Sequence, residues 1–311
     1  MDLPHARGDC AAVTWDIMAV SSNLGIQVVR VHIVAVTVLI GWIGLGCLGR
    51  AEAQGTGGLP PRLDRTALHP TFAEDFKHFA ASATGLVQGR PAWQTRFIHG
   101  ERTLANNHEA EWYQDDGPDG PFRVTGNGLD IAAEPKAGLP GGMAYQSGLI
   151  TSQHLFHQRY GYFEIRAQLP HGRGLWPAFW LLPVDGSWPP EIDVMEMLGG
   201  APETYYVALH ARPNGQPLDE VTAVAAPDLT AGFHLFGVSW RPDRISFYLD
   251  NVLVHSATTS ADLHQPMYLL INLAVGGAGA WPGQAAPTQS GVYHIAWIRV
   301  WQFNDLDAAH H

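Results

Sequence analysis

The chain has 311 residues, 46% of them hydrophobic, with 18 Lys and Arg against 29 Asp and Glu and a formal net charge of −11. That length and apolar content allow a full core without disulfides or metals. Lys and Arg form no cluster of the kind a polyanion needs, which excludes nucleic acid as a partner.

Residues 1–53 differ from the rest. Both cysteines, Cys10 and Cys47, lie there, and Arg30 precedes an apolar run, Val31–Leu48, that ends at Arg50-Ala51-Glu52-Ala53. This reads as a signal peptide cleaved after Ala53, where Ala51-x-Ala53 supplies the small residues. The polar stretch before Arg30 is long for such a segment, and a translation start at Met18 would shorten it. An uncleaved anchor is the alternative, because a run of about eighteen apolar residues nearly spans a bilayer. Gly44-Leu45-Gly46-Cys47 lacks the leucine expected before a lipidated cysteine. Cleavage would leave a secreted, cysteine-free protein, extracellular or periplasmic, with no membrane partner.

Residues 54–69, rich in Gly and Pro, read as a linker. From there to about residue 304, turn residues recur every ten positions or so, without a long 3.6-residue period, which predicts many short strands. In Tyr162–Leu169, Phe163, Ile165, Ala167 and Leu169 share one face and Tyr162, Glu164, Arg166 and Gln168 the other. Arg244–Asp250 alternates likewise, and Asp250-Asn251 before Val252 predicts a two-residue hairpin turn. Met267–Val275 is apolar nearly throughout, as suits a strand buried on both faces, and Val292–Phe303 alternates again. The expected fold is all-β, a β-sandwich or jelly roll with a concave cleft. Residues 305–311 form a tail, and His310-His311 receives no role.

Between two of these strands lies Glu191-Ile192-Asp193-Val194-Met195-Glu196, three carboxylates interleaved with apolar residues. On a regular strand Glu191 and Asp193 share a face while Glu196 points into the core, where a charge is costly. A one-residue bulge near Val194–Met195 re-phases the strand and returns Glu196 to its companions. The outer pair then suits the separation of about 5–5.5 Å that retaining glycosidases use, with like-charge crowding keeping one glutamate protonated. A solvated acidic face is the plain alternative for an isolated pattern of this kind. A divalent-cation site fits less well, since no nearby His or Asn completes a ligand set.

The neighbourhood is aromatic. Trp176, Trp180 and Trp188 lie close in sequence, and indole rings stack on the C–H faces of sugars. Phe179 and Trp180, flanked by Leu181 and Leu182, read as core; Trp176 and Trp188 fit cleft and core equally well. His210 falls in the expected neighbouring strand, within reach of a carboxylate or a sugar. Leu104–Tyr113 is either a loop bounding the cleft or a solvated loop.

Together these residues resemble glycoside hydrolase family 16, whose motif E-[IL]-D-x-x-E is met by Glu191–Glu196. Tyr160–Arg166, Trp176–Trp180 and Asn272–Gly277 are family-like in order and spacing, and the resemblance covers residues 70–303. The stretch Leu175–Gly199 is similar to bacterial endo-β-glycanases that depolymerise succinoglycan-like exopolysaccharides. The resemblance implies a jelly roll and a retaining double displacement, with Glu191 as nucleophile, Glu196 as acid/base and Asp193 assisting. It implies Trp176 and Trp188 stacking sugars, with Asn107 and His210 nearby. Family members often carry a calcium-binding Asp in the last strand; Ala296 stands at that place, so a structural calcium is in doubt and no cofactor is expected.

The reading is an endo-acting hydrolase, expected as a monomer, of β-1,3 or mixed β-1,3/1,4 glucans or exopolysaccharide. The acidic balance argues against a densely charged polymer. Transglycosylation and a non-catalytic glycan-binding jelly roll are the alternatives. N-terminal sequencing of the secreted protein should begin at Gln54; an intact leader recovered in membranes overturns the cleavage site.

Overall fold

The structure is a computed structural model that describes residues 62–307. The expected signal peptide, half of the expected linker and His310-His311 lie outside the described residues. Two large sheets pack face to face. The outer sheet runs Val252–Thr258, Arg244–Leu249, His234–Trp240, Gly161–Gln168, Gly291–Phe303, Gly128–Pro135, Tyr145–Ser147 and Glu111–Tyr113. Leu68–Glu74 also pairs with Gly291–Phe303, and Phe122–Thr125 with Gly128–Pro135. The second sheet runs Leu218–Ala225, Thr204–Ala211, Glu191–Met197, Leu175–Pro183, Met267–Val275, Leu149–Thr151, Trp93–Gln94 and Ala81–Ser82. Nearly every pairing is antiparallel, and the order is that of a jelly-roll sandwich.

The expected alternation is present, and burial explains it. Phe163, Ile165, Ala167 and Leu169 all enter the core between the sheets. Met267–Val275 is buried at every position because it has protein on both faces. Leu269, Ile271, Leu273 and Val275 join the main core, while Tyr268 and Leu270 join a second apolar cluster beneath the cleft with Phe97, Tyr113 and Trp180. Asp250 and Asn251 form the hairpin turn with φ of 50° and 66°, and Leu249 pairs with Val252 across it.

One polar face is not solvated as alternation alone suggests. Tyr162 and Glu164 are both 0% exposed. Gly237 makes room for the Tyr162 hydroxyl, since a Cβ there would lie 2.1 Å from it. The N-terminal segment supplies the rest of the cover, so the ordered fold takes in the end of the stretch that reads as linker. Leu63 donates its N–H to the Asn251 carbonyl. Arg65 donates to Glu164 Oε1 at 2.6 Å and to Asn251 Oδ1 at 2.7 Å, with its guanidinium over the Tyr162 and Trp301 rings. Tyr162 adds a third hydrogen bond to the same network, donating to Glu164 at 2.8 Å.

A buried carboxylate stripped of its cation costs about 3–5 kcal/mol, and partial exposure of Arg65 places this pair at the low end. Arg65→Ala should therefore lower stability by about 3 kcal/mol in urea unfolding. Glu164→Gln on that background should recover part of the loss. Equal stability of Arg65→Ala and the parent protein refutes the clasp.

Candidate active site

The acidic strand, Glu191–Met197, lies between Leu175–Pro183 and Thr204–Ala211. Its pairing slips by one residue. Trp180 opposes Asp193 while Phe179 opposes Met195, so Val194 has no partner on that side. On the other side Asp193 opposes Ala208 and Glu196 opposes Tyr206, with the shift between them. The extra residue falls where the sequence places it, and its effect is visible in burial. Ile192, Val194, Met195 and Met197 all enter the main core, two of them consecutive, and Glu191, Asp193 and Glu196 all line the cleft.

The cleft has a volume of about 900 Å³, near the upper end of the usual range for ligand sites. Glu101, Glu109, Glu191, Asp193 and Glu196 line it, and no Lys or Arg does so among the described residues. Without a cation to offset them, burial and like charge raise Asp193 and Glu196. Burial, then the charge of Glu191, pushes Glu196 up to about 8, against a smaller opposing effect from the Trp176 N–H. Asp193 is 2% exposed and raised well above the usual carboxylate range by burial, then by Glu191 and Glu196. It shares a hydrogen bond with Glu191.

Each indole has a distinct contact. Trp176 Nε1 donates to Glu196 Oε1 at 2.9 Å. Trp188, 61% exposed at the rim, donates to Glu191 Oε2. Both tryptophans, open between cleft and core in the sequence, line the cleft. His210 pairs with Glu191 across the strands; its Nε2 lies 3.4 Å from Asp193 Oδ2 and its Nδ1 2.7 Å from Asp219 Oδ1. Asn107 ends a 3-10 turn, Ala105–Asn107, on the opposite wall, so the 104–113 stretch does bound the cleft.

Phe179 and Trp180 are both buried as expected, Phe179 in the main core and Trp180 in the second cluster, which also floors the cleft; Trp180 Nε1 donates to Asn272 Oδ1 at 2.8 Å. Trp281, unassigned in the sequence, is 44% exposed in the cleft and packs edge-on against Trp176 and Tyr206. Its one signal is an aromatic in the Gly-rich loop after Val275. Ala296 is the extra residue at an irregularity in the last strand, where Arg166 pairs with Trp297 and Ala167 with Ile295. It offers calcium a methyl group, and no group of three or more His, Cys, Asp or Glu among the described residues is placed to hold a metal ion.

Sheet order, bulge and acid-lined cleft define a jelly roll with a groove floored by three carboxyls. The chain belongs to the glycosyl hydrolases family 16, whose model matches residues 108–299. It is 39% identical to the endo-1,3-1,4-beta-glycanase EglC of Rhizobium meliloti (strain 1021), over 71% of this chain and 49% of that protein. It is 38% identical to the endo-1,3-1,4-beta-glycanase ExsH of the same organism, over the same shares. The chain thus spans about half the length of these relatives. Its fold is similar to that of the laminarinase catalytic domain from Thermotoga maritima, with a TM-score of 0.64 and 28% identity over 76% of this chain and 98% of that one.

The raised Glu196 carboxyl makes a stability prediction with a defined sign. Its contribution is complete below the ordinary carboxylate pKa of about 4.5 and is lost as pH rises through about 8, because the unfolded chain releases the proton first. Glu196→Gln, which has no proton to lose, should gain stability relative to the parent across that window and keep a constant advantage above it. Thermal unfolding from pH 4 to 10 measures this, and a difference that does not change with pH refutes it.

Proposed function

We propose that this chain is an endo-acting retaining glycosidase of β-1,3 or mixed β-1,3/1,4 glucans or related exopolysaccharide. Glu191 acts as nucleophile, Glu196 as acid/base and Asp193 as the assisting carboxylate. The observation that carries the reading is the register slip at Val194, which sets both glutamates on one cleft floor with Glu196 raised to about 8. Membership of the family and the names of the Rhizobium relatives support it.

In the first step Glu191 Oε attacks the anomeric carbon as Glu196 protonates the glycosidic oxygen; the C–O bond breaks and a glycosyl ester forms. In the second, Glu196, now a carboxylate, takes a proton from water as the water attacks the same carbon and releases Glu191. Asp193 holds Glu191 through their hydrogen bond. Trp176, Trp188 and Trp281 provide faces for sugar stacking, and Asn107 and His210 provide hydrogen bonds at the two walls. The mature protein, starting after Ala53, works outside the cytoplasm as a monomer with no cofactor. No helix among the described residues is long and apolar enough to cross a membrane.

Laminarin, lichenan and succinoglycan offered to pure protein, with products read by mass and the first anomer by NMR, test the proposal. Internal cleavage with retained β configuration is expected. Glu191→Gln should show no turnover yet bind oligosaccharide, and Glu196→Gln should lose ~10²–10⁴ of the rate. Absence of new reducing ends from all three polymers, or full activity in Glu191→Gln, overturns it.

A further inference from the structure

A second pair of acids lies against the Asn107 wall, outside the proposed chemistry. Glu109 and Glu111 are 8% and 0% exposed. Glu109 Oε2 accepts the Leu104 N–H at 2.7 Å and Oε1 the Asn107 amide at 3.3 Å. One carboxyl therefore ties both ends of the short turn that borders the cleft. Glu111 Oε2 accepts the Val275 N–H at 2.7 Å, and the residue's own N–H lies within reach of the carboxyl. Its Oε1 is buried without a partner at hydrogen-bond geometry, and the two carboxyls lie within hydrogen-bonding reach of each other.

The surrounding elements offer no compensating charge. Arg102 is engaged by the Tyr113 carbonyl and Asp115. His108 turns toward Gly279 of the neighbouring loop. Tyr113, whose hydroxyl accepts from Asn272 and lies within hydrogen-bonding reach of Glu111, is held as a neutral phenol by burial and then by the two glutamates. Two enclosed carboxylates in contact do not both ionise, so one proton is shared between them. Glu109 accepts from Leu104 and Asn107 and lines the cleft, whereas Glu111 is fully enclosed, where a charge costs more. The proton belongs on Glu111.

We infer that Glu111 is a positioning residue: as a neutral carboxylic acid it donates to Glu109, which holds Asn107 and the Ala105–Asn107 turn against the bound glycan. The inference rests on the proposed reading of the cleft. Burial raises both carboxyls above the usual range, in Glu111 with the charge of Glu109 added. The bond is thus intact through acid and neutral pH and is lost as pH rises through the raised pKa of the pair. Substrate binding weakens there, separately from the loss of the Glu196 proton that limits kcat.

The test compares the full chain with Glu111→Gln and Glu111→Leu by three readouts: KM and kcat for laminarin against pH, thermal unfolding against pH, and the infrared C=O stretch of protonated carboxyls. In the parent protein, KM should rise and the melting temperature fall on the alkaline side. Glu111→Leu, lacking a donor to Glu109, should raise KM about tenfold at neutral pH, the scale of one hydrogen bond to a charged group. Glu111→Gln, whose amide donates at every pH, should rescue that loss, flatten the alkaline rise in KM and the fall in melting temperature, and remove one protonated-carboxyl band. Profiles for Glu111→Gln that superimpose on the parent, or an undiminished band, overturn the inference. If Glu111→Leu does not fold, Glu111→Gln decides alone. If laminarin is not cleaved at all, the proposed reaction falls, while the infrared and unfolding measurements still decide where the proton sits.

Discussion

A strand can carry three acids on one face at positions 191, 193 and 196 only by breaking its own period of two. The slip at Val194 does this, and the cost is visible: Val194 and Met195 both turn inward, so the core beneath accepts two adjacent apolar side chains. Without the slip Glu196 would enter that core, and an unpaired carboxylate there costs several kcal/mol. The rest of the cleft depends on this local count. The Trp176 donor meets Glu196, Trp188 meets Glu191, and His210 meets Asp193 because the three carboxyls emerge together.

The sandwich buries acids at three places and neutralises them by two means. On the outer sheet Glu164 is paired with a cation brought by the N-terminal segment. In the cleft wall and on its floor no Lys or Arg is present among the described residues, and protons do the work. The division follows function. A guanidinium beside Glu196 would favour its ionised form and remove the acid that the proposed reaction needs, whereas the outer sheet needs only to stay closed.

Much of this was legible in the residues. The acidic strand, its bulge, the double burial of Met267–Val275 and the Asp250-Asn251 turn follow from periodicity and from the cost of a buried charge. The fold class followed from the same patterns. What escaped did so for physical reasons. Periodicity tells which residues share a face but not what covers that face, so it places Tyr162 and Glu164 together without showing that Arg65 lies over them. Trp180 is core as its leucine neighbours suggest, but periodicity does not tell that this second cluster also floors the cleft. Trp281 sits in an irregular loop without any period to place it. Glu109 and Glu111 alternate like an exposed strand, and their enclosure depends on Val275, a residue far away in the chain.

Asp193 is wedged between two glutamates with almost no contact with solvent, and this changes how variants of the cleft are to be understood. Glu191 is a source of the upward shift in both Asp193 and Glu196, so replacing it alters two other ionisations at once. The floor releases its protons as an ensemble, in macroscopic steps that belong to no single side chain. A displaced limb in the bell-shaped profile of a point variant therefore reports a redistribution among the survivors. Energies assigned to these acids one at a time will not sum to the whole.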